Sequence, residues 1–149
     1  MLQWQKKCHT VKTVVISSPD TSILFVSKAY VGKEHDYALL KAEFPCAIPW
    51  FKNFTVRLDS GYQGFQTDYE CKKSYLPHKK SKKKELTDGQ KNENQVAAKE
   101  RIKVEHSIGG LKRYRILSER TRIKDFVLFD EIIGVCAGLW NYTKINTND

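Results

Sequence analysis

The chain has 149 residues, 40% of them apolar and 29% charged, with a formal net charge of +9. That balance belongs to a folded protein with a core of its own and excludes a disordered chain. No apolar run approaches the roughly eighteen residues needed to cross a bilayer, so no membrane partner is expected. The surplus of lysine and arginine points toward a polyanion such as nucleic acid, although ribosomal and membrane-surface proteins are equally basic.

The N-terminal Met1-Leu-Gln-Trp-Gln-Lys-Lys has no apolar h-region, so secretion is not expected and a cytoplasmic location is. Residues 10–16, Thr-Val-Lys-Thr-Val-Val-Ile, are rich in β-branched types and stop at Ser17-Ser18-Pro19-Asp20, a turn signal. Ile23 to Tyr30 is a second such run, closing at Gly32, and the two read as a hairpin. His35 to Glu43 reads as a short helix ended by Pro45. Phe54-Thr-Val-Arg-Leu58 is the next strand and runs into the small residues Asp59-Ser60-Gly61. A short helix is expected around Gln63–Cys71, then a brief strand at Ser74–Leu76.

Lys79-Lys-Ser-Lys-Lys-Lys84 has almost nothing to bury, and residues 79–92 read as a basic, exposed connection. A long helix follows from about Glu93 to Leu111, with Val104, Ile108 and Leu111 as its apolar stripe. The last helix starts near Lys124 or Asp125, with Phe126, Phe129, Ile133, Cys136 and Trp140 on one face and Asn141 and Thr143 at its end. The order of elements describes an α/β or α+β domain. A hairpin starting so near the first residue would leave a sheet edge open, which a further strand would cover. Cys8, Cys46, Cys71 and Cys136 are scattered, as suits reduced thiols in an intracellular protein.

Two carboxylates stand out. Asp59 follows a strand and precedes Gly61, where a side chain can meet a ligand above the sheet, or can simply cap its own turn. Glu105 lies beside the apolar stripe of the long helix, in line with Arg101 and Lys112, poised for a cleft or for an ion pair with Arg101. Gly109-Gly110 inside that helix pattern costs about 0.8–1 kcal/mol per glycine, which implies a helix end or the close approach of another backbone. From Arg101 to Lys124 eight Lys or Arg stand against two Glu, so the carboxylate sits in a segment able to neutralise phosphate charge. The histidines and cysteines form no closed set of zinc ligands, and no glycine loop of nucleotide-binding type is present.

Four segments follow one another in order: His9-Thr-Val-Lys-Thr-Val-Val, Phe25-Val-Ser-Lys-Ala-Tyr-Val-Gly-Lys-Glu-His-Asp36, Leu58-Asp-Ser-Gly-Tyr-Gln-Gly64 and Val104-Glu-His-Ser-Ile-Gly-Gly-Leu-Lys-Arg113. Together, over about residues 6–145, they resemble the catalytic domain of the DDE transposases of small bacterial insertion sequences. The resemblance implies a ribonuclease-H-like α/β fold, a mixed sheet with flanking helices, with residues 1–149 as the C-terminal part of one catalytic domain. It implies an active site of two Asp and one Glu holding divalent metal, Mg2+ with Mn2+ as a substitute, that cleaves and transfers DNA strands. Asp59 matches the second Asp and Glu105 the Glu, both as catalytic residues and metal ligands. Arg101, Lys112, Arg113 and Arg115 are the candidates for gripping DNA.

The pattern departs from the family in one place. The first Asp belongs on a strand upstream of His9, and neither Asp20, in the hairpin turn, nor Asp36, at a helix start, takes its place. The expectation is therefore a domain missing its first strand, truncated and inactive alone, needing an upstream transposase chain to supply the Asp and a DNA-binding region. The competing expectation is a non-catalytic DNA-binding remnant that interferes with a full-length transposase.

Overall fold

The computed structural model describes residues 2–3, 11–78, 86–119, 123 and 125–146. Its strands are β1 (Leu2–Gln3), β2 (Val11–Thr13), β3 (Val15–Ser17), β4 (Ile23–Val26), β5 (Tyr30–Val31), β6 (Thr55–Arg57) and β7 (Lys73–Tyr75). Its helices are α1 (Asp36–Glu43), α2 (Phe65–Asp68), α3 (Asp88–Lys112), α4 (Arg115–Ser118) and α5 (Phe126–Asn146). The chain divides into two compact units, residues 1–35 with 103–149 and residues 36–102.

In the first unit the two β-branched runs do form a hairpin, but each is interrupted. β3 pairs antiparallel with β4, placing Val15 opposite Val26, and β2 pairs antiparallel with β5, placing Val11 opposite Val31. The break falls at Val14 and Ser27, both buried. There the Val14 N–H donates to the Ser27 hydroxyl at 2.8 Å, and the Ser27 N–H donates to the Val14 carbonyl at 2.9 Å. The buried Thr13 hydroxyl donates to the Ser27 carbonyl at 2.7 Å, so the kink leaves these groups satisfied. β1 pairs antiparallel with the outer side of β2, Leu2 opposite Thr13, so the edge expected to be bare carries a two-residue strand.

The core of this unit joins Ile23 of the hairpin to Leu111, Leu117, Phe129, Ile133, Cys136 and Ala137. The expected stripe on the last helix is buried at Phe129, Ile133 and Cys136, whereas Phe126 is exposed. Asp125 caps this helix, its carboxylate accepting the Val127 N–H at 2.9 Å. The helix runs on to Asn146, past the end expected at Asn141 and Thr143. No helix among the described residues is long and apolar enough to cross a membrane.

Polar side chains of α5 fasten it to the hairpin backbone. The Asn141 amide accepts the Ile23 N–H at 2.8 Å and donates to the Ile23 carbonyl at 2.8 Å, as a neighbouring strand would. The Asp130 carboxylate accepts the Ala29 N–H at 2.6 Å, and the Trp140 indole N–H donates to the Thr21 carbonyl at 2.9 Å. Lys144 donates to the Asp20 carbonyl at 2.7 Å and to the Thr21 hydroxyl.

α3 begins at Asp88, earlier than the Glu93 expected, so residues 88–92 are helix rather than connection. Residues 79–85 of that basic tract lie outside the described residues. A reciprocal cap starts the helix: the Gln90 N–H donates to the Thr87 hydroxyl at 3.3 Å, and the Gln90 side chain accepts the Thr87 N–H at 3.1 Å. Gly109 and Gly110 lie inside α3 and do not end it. A methyl group at Gly110 would meet the Trp140 indole at 2.5 Å, while one at Gly109 would meet nothing within 4 Å. The close approach inferred from this pair comes from a side chain, not a backbone.

In the second unit β6 and β7 form a parallel pair, Val56 opposite Ser74. Leu39 and Leu40 of α1 are buried in this unit, as are Phe51, Tyr62, Phe65 and Tyr69. Phe51 packs edge-on to Tyr69 and tilted against Phe65, with ring centroids 5.4 Å apart in both pairs.

Asn141→Ala should lower the stability to chemical denaturation by about 2 kcal/mol, because it leaves both backbone groups of Ile23 without their partner. Gly109→Ala should stabilise the protein by about 0.5–1 kcal/mol through helix propensity, whereas Gly110→Ala should destabilise it by about 1–3 kcal/mol through overpacking. Melting curves of the two glycine variants, measured side by side, check the opposite signs.

Candidate active site

Asp59 sits where β6 gives way to a single 3-10 turn, Ser60–Tyr62. Its carboxylate accepts the Ser60 N–H at 2.6 Å, and its backbone carbonyl accepts the Tyr62 N–H at 3.1 Å. The turn-capping role is thus real, yet the side chain is still about half exposed at 52%. Arg101 of α3, expected as a partner for Glu105, brings its guanidinium to 3.7 Å from this carboxylate.

Two of the segments that carried the resemblance meet at this turn. A methyl group at Gly61 would lie 3.4 Å from the Asp36 carboxylate, and one at Gly64 would lie 3.2 Å from the Tyr37 ring. Gly64 also has φ +99°, a conformation that other residues adopt only with strain. The start of α1 therefore packs directly on the Asp59–Gly64 turn, which together with the positive φ explains the glycine at position 64. The Tyr37 hydroxyl donates to Asp68 at 2.6 Å, and Lys41 pairs with the same carboxylate. Lys41, and after it Tyr37, hold the Asp68 carboxyl below the usual range.

Tyr62 is a residue of this site that pattern reading missed. It is buried, and burial, followed by the negative charges of Asp36 and Asp59, pushes its phenol well above its ordinary value. The signal available in the sequence was an aromatic residue directly after the Asp-Ser-Gly turn.

Glu105 lies on the exposed side of α3 in the first unit. It lines a hollow of about 360 Å3 together with His106, Arg113, Trp140, Lys144 and Thr21. Lys112 is exposed in the last turn of α3. The Arg113 guanidinium stands 5.7 Å from the centroid of the Trp140 ring, while Arg115 is turned to Glu119, with Nε at 2.7 Å and Nη2 at 2.6 Å. The structure thus brings Arg101 to Asp59 and Arg113 to the hollow lined by Glu105, and ties Arg115 to a neighbour on its own turn.

Among the described residues no three His, Cys, Asp or Glu side chains gather into a group able to hold a metal ion. Asp59 has an arginine beside it instead, so the described residues do not fit a complete metal site.

The family of the DDE superfamily endonucleases matches residues 2–141, nearly the whole sequence. The chain belongs to this family. It is also 35% identical over 136 residues to a probable transposase for insertion sequence element IS702 from Microchaete diplosiphon. That match covers 90% of this chain and 46% of the relative, so the chain spans about half the length of the relative it matches. No solved structure matches it.

The raised phenol of Tyr62 sets a pH dependence. A proton held more tightly in the folded state stabilises the fold below the ordinary phenol value and is lost as pH rises past about 10. Tyr62→Phe should therefore lose less stability than the parent above about pH 10, as followed by denaturant unfolding across that range.

Proposed function

We propose that this chain is the downstream part of a DNA transposase catalytic domain, in which Asp59 and Glu105 are two of the metal-holding carboxylates. The observation that carries the reading is the family match across residues 2–141. It is supported by Asp59 standing half exposed at a strand end and by the arginine-rich stretch that surrounds Glu105. The fold that goes with it is ribonuclease-H-like, with the first strand and its Asp supplied by polypeptide outside the described residues. That polypeptide is either continuous with this sequence or a separate upstream chain.

Two carboxylates cannot easily hold two ions of Mg2+, or of its substitute Mn2+, in register for in-line displacement. This chain by itself therefore holds DNA rather than cutting it. Lys112, Arg113 and Arg101 place positive charge beside the two carboxylates, and charge of this kind fixes a phosphate backbone in register. Arg115 would join them only after exchanging Glu119 for a phosphate. Phosphodiester cleavage and strand transfer, both in-line displacements at phosphorus, belong to the completed assembly.

The test begins with the DNA upstream of the Met1 codon, read in all three frames to define the longer polypeptide. That polypeptide should nick supercoiled DNA in the presence of Mg2+, and Asp59→Asn or Glu105→Gln should slow nicking at least about a hundredfold without loss of DNA binding. The chain alone should bind DNA with strong salt sensitivity and leave it intact. Nicking unaffected by either substitution would refute the site assignment. DNA binding indifferent to Mg2+, with no nicking by the longer polypeptide, would favour a non-catalytic DNA-binding protein that interferes with a full-length transposase.

A further inference from the structure

α5 is apolar on two sides. One side, with Phe129, Ile133, Cys136 and Ala137, is buried in the core of the first unit. On the other, Val127, Leu128, Val135, Leu139, Tyr142 and Ile145 are between 45% and 68% exposed. Of the three charged residues in this helix, Asp130 and Lys144 bond to the hairpin, and only Glu131 lies on the outer side. A surface helix ordinarily turns polar residues to water, whereas a helix apolar all round is ordinarily covered all round.

The spacing of the outer side decides what fits it. Leu128, Val135 and Tyr142 recur every seven residues, and Glu131, Gly138 and Ile145 follow each of them by three. Those are the a and d positions of a seam between two helices. A second α5 laid antiparallel on the first sets each a position against a d position of its partner: Leu128 with Ile145, Val135 with Gly138, and Tyr142 with Glu131. Two-fold symmetry makes each pairing occur twice. A methyl group at Gly138 would meet nothing within 4 Å, so this glycine leaves room for the valine. The tyrosine hydroxyl meets a carboxylate able to accept from it, and aliphatic side chains close both ends. Laid parallel, the same helices would set Glu131 against Glu131 and Gly138 against Gly138, a like-charge contact and a gap. The face complements itself in one direction only. Six large side chains exposed to this degree present on the order of 600 Å2, the lower end of what each partner gives to a specific interface.

We propose that the outer side of α5 is the contact between two copies of this chain, packed antiparallel about a two-fold axis near residues 136 and 137. The contact does not depend on the transposase reading and goes beyond it.

The test is sedimentation of the whole chain over a dilution series, which should show the mass falling from twice 17.3 kDa to that of one chain. Val135→Glu, at a position 62% exposed, should sediment as one chain while keeping the helix content of the parent by circular dichroism. Leu24→Glu, at an apolar position of β4 that is 67% exposed, should leave the association unchanged. Cross-linking reads the direction. In a Cys8→Ser, Cys46→Ser, Cys71→Ser background, Leu128→Cys mixed with Ile145→Cys should give a disulfide-linked pair on oxidation by copper–phenanthroline in air. Neither variant alone should link to itself, because the antiparallel order holds like positions about 25 Å apart.

A one-chain mass at every concentration overturns the proposal, as does association that Val135→Glu leaves intact or that Leu24→Glu abolishes equally. Leu128→Cys linking to itself overturns it too, since that is the parallel order. If the chain is a single copy and Val135→Cys is shielded from thiol labelling only in the longer polypeptide, the rest of that polypeptide covers α5 and the proposal falls. None of these measurements involves DNA or metal, so their failure leaves the transposase reading standing.

Discussion

The first unit depends on one side-chain amide. Asn141 meets both backbone groups of Ile23, each at 2.8 Å, and so does for β4 what a neighbouring strand would do. A strand edge left to water invites pairing with other chains. Here a helix supplies the missing partner through a carboxylate, an amide, an indole N–H and an ammonium. The same contacts fix the rotation of α5, which turns Phe129, Ile133 and Cys136 into the core. Packing and polar contacts thus agree on one orientation.

Much of this was legible because it is local. The β-branched runs, the Ser-Ser-Pro-Asp turn and the strand before Asp59 each announce themselves within a few residues. The hidden parts are those whose reason lies elsewhere. From Asp88 to Ile102 no residue with a described side chain is buried, so α3 has no apolar stripe there to read. Its start was signalled instead by Thr87 and Gln90, three residues apart, which cap each other. α4 is a single turn, too short for any period, and shows itself only through the buried Leu117. Ser107, fully buried one position before Ile108, displaced the stripe from where its apolar neighbours suggested.

The candidate site divides in the same way. Asp59 and Glu105 stand out by residue type and position alone, and both fall within the matched residues 2–141. The reason for Gly64 could not be read in this way, because part of it is the proximity of Tyr37, which belongs to a different segment. Gly109 and Gly110 looked equivalent in the sequence, yet only Gly110 faces a neighbour. Trp140 read as one more position in an apolar stripe, and its bond to Thr21 spans 119 residues.

That long reach bears on how the protein is made. Ile23 and Asn141 are 118 residues apart, so the loop they close is long, and such contacts form late and slowly. On a ribosome the hairpin emerges before α5 and remains without its helical partner until the chain 118 residues further on has been made. A chain shortened by its last ten residues would lose Asn141 and Lys144 together and leave β4 open to association with other copies. The last turns of α5 are therefore the latch on the hairpin, and cotranslational folding of this unit waits for them.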